Sequence, residues 1–198
     1  MERKSKGIND IYSRDSFHRL FLAVLLLLCL FVAGCESPPP NFVYDFETEA
    51  DLDLLDWQCG AYFSISEEHV TSGKKSLKME FFPASSGSEN IYPGLGLRNF
   101  YSNWSKRHAL HFNVFNPENK PLQIVIRIDD KNNPPYDDRF NKDIILRPGT
   151  NTIILPFKEM TTTGTQRNLN LDHIESIDLF LDNPEEKHML FIDNLHLR

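Results

Sequence analysis

The sequence predicts an all-β domain, an antiparallel β-sandwich of the jelly-roll type, over residues 42–198. Short runs of β-branched and aromatic residues alternate with polar residues, which is the pattern of half-buried strands. Turn-forming residues separate these runs, as at 72–74 and 147–151. Helical periodicity is weak, with at most a turn or two at 49–55 and 100–105. A sandwich of antiparallel sheets needs one buried face on each strand, and the alternation supplies it.

Nine strands are predicted, and in the clearest of them apolar residues share one face. Ile124, Ile126 and Ile128 are expected to fill the core, which places Arg127 and Asp129 on the opposite face. Leu77, Met79 and Phe81 form a similar row. Residues 158–171 form a polar loop that begins with one helical turn. The predicted strands are 42–46, 60–66, 76–82, 110–115, 124–129, 144–146, 152–155, 177–181 and 190–197.

The N-terminal residues are typical of a signal peptide. A basic region precedes the apolar run 20–33, which has about 14 residues, against roughly 20 for a membrane-spanning helix. Val32-Ala33-Gly34-Cys35 resembles the lipobox of bacterial lipoproteins, in which the cysteine is acylated and becomes the first residue. We therefore expect a signal peptide over 1–34, lipidation of Cys35 and a tether over 35–41. An ordinary signal peptide or a short membrane anchor is the alternative.

Charge and cysteine content narrow the partners of the domain. The net charge of −7 at pH 7 argues against nucleic acid and against an anionic membrane surface. We expect membrane contact through the lipid anchor only, with the domain in the cell envelope, outside the cytoplasm, on the outer or plasma membrane.

Cys59 is the one cysteine after Cys35, so no internal disulfide is expected. Cys59 is read as a small core residue; a nucleophile is the alternative.

Three segments together resemble the galactose-binding-like jelly-roll superfamily, which includes many carbohydrate-binding modules. They are YDFE at 44–47 with HVTSGKKSLK at 69–78, YDDRFN at 136–141 with LRPGTNTI at 146–153, and the ending LFIDNLHL at 190–197. The resemblance covers nearly all of the domain and implies its fold.

The same resemblance implies a structural calcium ion near the first and last strands. Its ligands would be Asp45, Glu47 and Asp193, with backbone oxygens around 72–75, since calcium takes six to eight oxygens. Alternatively, Asp45 and Glu47 face solvent and Asp193 caps a turn. No organic cofactor is expected.

A glycan is the ligand that the resemblance implies, bound on one sheet face. Sugar recognition needs an aromatic ring and planar polar groups that lack other partners. The alternative is a solvated face with Arg–Asp ion pairs, a core role for Trp104 and loop packing for Tyr136. The candidate ligand-binding residues are Trp104, Arg127, Asp129, Tyr136, Asp137, Arg139, Asn141 and Asp182.

Enzyme motifs are absent from the sequence. It contains no nucleophile elbow, Walker loop or zinc-ligand spacing, so a non-catalytic carbohydrate-binding lipoprotein is expected. One alternative is an envelope lipoprotein that binds a protein partner through an exposed apolar patch. Another is a glycoside hydrolase, which would show two carboxylates about 5–10 Å apart across a cleft.

Overall fold

A computed structural model describes residues 42–83 and 91–198, apart from the side chains of residues 42, 43, 57 and 58. The predicted signal peptide 1–34, the lipidation of Cys35 and the tether 35–41 lie outside these residues. Within the described part of the chain, none of the helical segments has the length and apolar composition needed to cross a bilayer.

The described residues form two antiparallel sheets, which confirms the predicted β-sandwich. Sheet A has the order β3-β4-β11-β6-β9, and β1 also pairs with β11. Its strands are β1 (Phe42–Tyr44), β3 (Ala61–Ser66), β4 (Ser76–Phe81), β6 (Ala109–Asn116), β9 (Gly149–Pro156) and β11 (His188–Leu197).

Sheet B has five strands in the order β2-β5-β10-β7-β8, and all its pairs are antiparallel. Its strands are β2 (Leu55–Cys59), β5 (Gly94–Leu97), β7 (Leu122–Asp129), β8 (Phe140–Leu146) and β10 (Ser176–Phe180).

The core lies between the sheets, where the alternation of the sequence places it. Ile126 and Ile128 of β7 are completely buried, as are Leu77 of β4 and Val114 of β6. Polar residues between them occupy the outer faces. The outer face of β7 is therefore free to carry Arg127 and Asp129, which confirms their predicted orientation.

Local sequence predicts some elements less well than others. Two strands of sheet B were not predicted, β2 and β5, and β8 begins four residues earlier than expected. Strand β5 (GLGL) contains no polar residue, so it shows no alternation. Its first residue, Gly94, packs directly against the backbone of β10. A Cβ at Gly94 would lie 2.3 Å from the carbonyl oxygen of Leu179.

The short helical segments are all 3-10 turns. One spans Glu49–Leu54, where a turn was predicted, and the others span Tyr136–Asp138 and Phe157–Glu159. The predicted turn of helix at 100–105 does not form.

Asp193 fastens the loop that precedes β4 onto sheet A. Its Oδ2 accepts hydrogen bonds from the backbone N–H of Thr71 at 2.5 Å, from the Thr71 hydroxyl at 2.9 Å and from the N–H of Ser72 at 2.8 Å. Its Oδ1 accepts the N–H of Asn194 at 2.6 Å. Asp193 is 1% exposed, so these donors replace the water that the carboxylate loses on burial.

Glu47 holds the next residues of the same loop. Its Oε1 accepts the N–H groups of Lys74 at 2.9 Å and of Lys75 at 3.3 Å. Gly73 has φ +64°, and a Cβ there would lie 1.9 Å from the Oε1 of Glu47. Only glycine allows the loop to approach this closely.

These contacts do not fit the calcium site that the resemblance implies. The oxygens of Glu47 and Asp193 face backbone N–H groups, whose positive ends repel a cation, and Asp45 is exposed. Within the described residues, no group of three or more His, Cys, Asp or Glu side chains is arranged to hold a metal ion. Asp45, Glu47 and Asp193 therefore do not form the expected oxygen cage.

We expect the thermal stability of the protein to be the same in calcium and in EDTA. A calcium ion bound at about 100 times its Kd would raise the Tm by roughly 5–10 °C. Differential scanning calorimetry of the metal-stripped protein, with magnesium as the control for ionic strength, measures this. A calcium-specific rise of that size would show that the loop rearranges to accept the ion.

Candidate functional site

A cleft of about 320 Å³ opens on the outer face of sheet B. Its volume falls at the lower end of the range of small-ligand sites. It is lined by aromatic, cationic and acidic side chains: Tyr92, Arg98, Arg127, Asp129, Asn133, Arg139, Asp178 and Phe180.

Strand register sets the pattern of charges on the floor of the cleft. Arg127 of β7 lies opposite Asp178 of β10, and Asp129 lies opposite Ser176. Ile128 pairs with Phe140, the first residue of β8, so Arg139, which directly precedes this strand, comes beside Asp129. Basic and acidic groups therefore lie next to each other on the floor, Arg127 and Asp129 along β7 and Arg127 and Asp178 across the strands.

Arg127 and Arg139 are held by neutral partners rather than by these carboxylates. The Nε of Arg127 donates to the Oδ1 of Asn141 at 2.9 Å, and its Cζ lies 4.9 Å from the ring centroid of Phe180. Arg139 donates to the carbonyl oxygen of Pro134 at 2.8 Å and to the Oδ1 of Asn133 at 2.9 Å. Among the described residues, neither guanidinium has a carboxylate within salt-bridge distance.

The two carboxylates on the floor are desolvated. Asp129 is 4% exposed and Asp178 is 7% exposed. Burial raises the pKa of Asp129 to about 6 and also raises the pKa of Asp178. The Oδ1 of Asp129 and the Oγ of Ser176 are buried and make no hydrogen bond with the described residues, which costs about 1–3 kcal/mol for each group.

The side of the cleft formed by β5 brings a third arginine and an exposed ring. Arg98 forms an ion pair with Asp56. Tyr92 is 46% exposed and packs edge-on against Phe180, with 5.7 Å between ring centroids. Phe180 lies between Arg127 and Tyr92, so Tyr92 is the ring that a ligand can reach on this side.

A buried ion pair fixes the rim loop, residues 130–139. Arg167 binds Asp130 through both terminal nitrogens, at 2.6 and 2.7 Å, and its Nε donates to Asp138 at 2.5 Å. The side chain of Asp130 is 0% exposed. Burial alone would raise the pKa of Asp130, but hydrogen bonds from Arg167 and from the N–H of Asn170 lower it below its ordinary value.

Loop 161–170, which contains Arg167, also supports the cleft residues directly. Thr163 donates its N–H to the carbonyl oxygen of Arg139 at 2.8 Å, and its Oγ accepts the Nδ2 of Asn141 at 3.2 Å. Asn141 in turn binds Arg127. The positions of Arg127 and Arg139 therefore depend on a loop that does not line the cleft.

The structure brings together part of the predicted ligand-binding set. Arg127, Asp129 and Arg139 line the cleft, and Asn141 lies behind Arg127 as its hydrogen-bond partner. Tyr136 is 66% exposed on the rim loop. Their roles in binding stay predictions.

Three other predicted residues lie elsewhere. Trp104 was placed wrongly: it is 0% exposed, stacks on Phe157 and donates its indole N–H to the carbonyl oxygen of Tyr101. It therefore has the core role given above as the alternative. Asp137 is exposed and uses its backbone oxygen to bind loop 161–170, and Asp182 is exposed outside the lining of the cleft.

Sequence reasoning missed five lining residues, of which Asp178 was the easiest to find. Asp178 interrupts the apolar row of a predicted strand, between Ile177 and Leu179, which marks a charge on the outer face. Tyr92 and Arg98 flank the unpredicted strand β5, and Asn133 lies in the loop between β7 and β8, where no pattern indicates the direction of a side chain. Phe180 is the last residue of β10 and was predicted only as part of a strand.

Arg167→Met is expected to lower the free energy of unfolding by about 3–5 kcal/mol, because it leaves the carboxylate of Asp130 buried without its partner. Lys120→Met removes an exposed ion pair with Glu186 and should cost less than about 1 kcal/mol. Urea unfolding of the two variants measures the difference. Equal losses would mean that the rim loop does not depend on Arg167.

Asp129→Asn is expected to stabilise the protein at pH 8 by up to about 3 kcal/mol. The pKa of Asp129 is raised in the folded state, so the wild type loses stability as the pH rises from about 4 through 6. Near pH 4 the folded wild type is protonated there, and the gain should shrink. Urea unfolding at both pH values tests this, with the exposed Asp143→Asn as control; a gain independent of pH would contradict it.

Comparison with known proteins supports the fold. No known protein-family profile matches the sequence. The chain is 24% identical to beta-agarase B of Vibrio sp. (strain JT0107) over 88% of its length, but it spans only 21% of that protein. It superposes on a solved exo-beta-agarase with a TM-score of 0.64 and 17% identity, covering 80% of this chain and 25% of that one.

Similar structures also exist as single modules. The solution structure of CtCBM11 matches with a TM-score of 0.59 and 19% identity, covering 83% of this chain and 97% of that one. The family 11 carbohydrate-binding module of Clostridium thermocellum, solved with a β-1,3-1,4-mixed-linked tetrasaccharide, gives 0.54 and 19%, covering 70% and 83%. The domain is thus an all-β sandwich similar to family 11 jelly-roll modules, and it spans about a quarter or less of the agarases it resembles.

Proposed function

We propose that the domain is a non-catalytic module that binds an oligo- or polysaccharide in the cleft of sheet B, displayed from the cell envelope by a lipid on Cys35. The observation that carries the proposal is the separation of charges on the cleft floor. Arg127 and Arg139 lie beside Asp129 and Asp178 without forming ion pairs with them. Hydroxyl groups both donate and accept, so a sugar can bridge such groups where neither a simple cation nor an apolar ligand can.

The cleft also has the other groups that sugar binding requires. Tyr92 is exposed in the lining of the cleft and can stack on the C–H face of a ring, and Asn133 adds an amide. Tyr136, exposed on the rim loop, is a second candidate for stacking. The rim loop is fixed by Arg167 before any ligand arrives, which reduces the entropy that binding costs. The similar carbohydrate-binding modules, and the agarases that contain a similar region, support the same class of ligand.

The two alternative functions find less support. A protein-binding face would present a contiguous apolar patch, whereas this face carries a charged cleft. A hydrolase would use Asp129 and Asp178, but both carboxylates are almost completely buried on the floor. Release of reducing ends from agarose by the purified chain, lost in Asp178→Asn, would replace the proposal with a catalytic one.

Isothermal titration calorimetry with agaro-oligosaccharides and with mixed-linked β-1,3-1,4-glucan oligosaccharides tests the proposal. Arg127→Met keeps the alkyl stem over Phe180 and removes the guanidinium, so the Kd should rise about 10–100-fold. Arg147→Met, exposed on the β8–β9 turn, is the control and should bind as the wild type does. No binding of any saccharide by the wild type, or equal binding by both variants, would contradict the proposal.

A further inference from the structure

The charged groups that a ligand meets first in the cleft are guanidiniums. The carboxylates of Asp129 and Asp178 lie on the floor and are almost inaccessible. The longer side chains of Arg98, Arg127 and Arg139 are only half-buried and extend toward the opening. The accessible surface of the site is therefore rich in cationic donors, although acidic groups lie beneath it.

Two of the three arginines lack a neutralising partner. Arg98 is paired with Asp56. Arg127 and Arg139 donate only to an amide oxygen or a carbonyl oxygen through the bonds described above, and these bonds leave terminal N–H groups on both. Such N–H groups can bind an oxyanion through two parallel hydrogen bonds, a geometry that a guanidinium favours.

The two guanidiniums also act on each other. Burial lowers the pKa of Arg127, and the neighbouring charge of Arg139 lowers it further. Burial also raises the pKa of Asp129 and of Asp178 beneath them. An anion between the two arginines would relieve the repulsion.

We propose that Arg127 and Arg139 together bind an anionic substituent of the saccharide, either a sulfate ester or a uronate carboxylate. The inference rests on the proposed function and specifies the class of sugar. The chain as a whole repels polyanions, because its net charge is −7. Its overall charge therefore does not explain a preference for an anionic saccharide. Selectivity would come from these two side chains.

The test compares matched ligands by isothermal titration calorimetry on the folded wild-type chain. The ligands are a sulfated galactan oligosaccharide, the same oligosaccharide after desulfation, and an oligouronate with its carboxyl-reduced form. We expect one anionic ligand to bind at least about tenfold more tightly than its neutral counterpart, with an affinity that falls as salt screens the charges. The pair that shows the difference identifies sulfate or carboxylate.

Two variants assign the preference to its residues. Arg139→Gln and Arg127→Gln should each reduce the anionic preference about tenfold, while Arg147→Gln keeps it. Circular dichroism of each variant confirms that it folds. Equal or tighter binding of the neutral ligands would overturn the inference and leave the proposed function standing. No binding of any of the four ligands would also overturn the inference, and the proposed function would be overturned with it only if the agaro- and mixed-linked glucan oligosaccharides fail to bind as well.

Discussion

The charges on the outer face of sheet B are held apart by neutral neighbours, and the character of the cleft depends on this constraint. Arg127 is fixed by Asn141 and Phe180, and Arg139 by the Pro134 carbonyl and Asn133. If these partners were absent, the guanidiniums would be free to turn toward the adjacent carboxylates and close the site as ion pairs. Because they are present, the protein keeps hydrogen-bonding capacity that its own fold does not use.

Keeping these groups apart costs stability, and the rest of the domain compensates. The buried, unpaired Oδ1 of Asp129 is an example of a group that disfavours folding. Two compact sheets with a continuous apolar core provide the offset, and the bidentate pair of Arg167 with Asp130 fixes the rim. Arg167 of loop 161–170 is paired with Asp130 and Asp138, whereas Arg127 and Arg139 form no ion pair with the carboxylates of the cleft floor.

The sequence predicts the architecture well because alternation is a local signal. The isoleucine row of β7 identifies both the core and the outer position of Arg127 and Asp129. Strand β5 could not be found in this way, because Gly94 is required by the close approach to Leu179 and the sequence GLGL carries no polarity pattern. Arg98 and Tyr92, which flank this strand, were missed for the same reason.

The predictions for Trp104 and for the calcium site failed because the same residue type can have either of two structural roles. Trp104 stands in a polar segment, but its burial depends on Phe157, which is distant in sequence. The carboxylates of Asp193 and Glu47 could bind a calcium ion, but the same oxygens accept hydrogen bonds from N–H groups equally well. The direction of the loop before β4, residues 67–75, decides whether N–H groups or carbonyl oxygens face these carboxylates. A sequence pattern does not contain that direction.

Binding of the saccharide in the cleft of sheet B would change the environment of the residues that line it. The most direct measurement is a titration of the ¹⁵N-labelled protein with the saccharide, followed by two-dimensional NMR. We expect chemical-shift changes concentrated at the backbone amides of Arg98, Asn133, Arg139 and Asp178. Shifts concentrated instead on the outer face of sheet A, around Lys78 and Asn113, would contradict it.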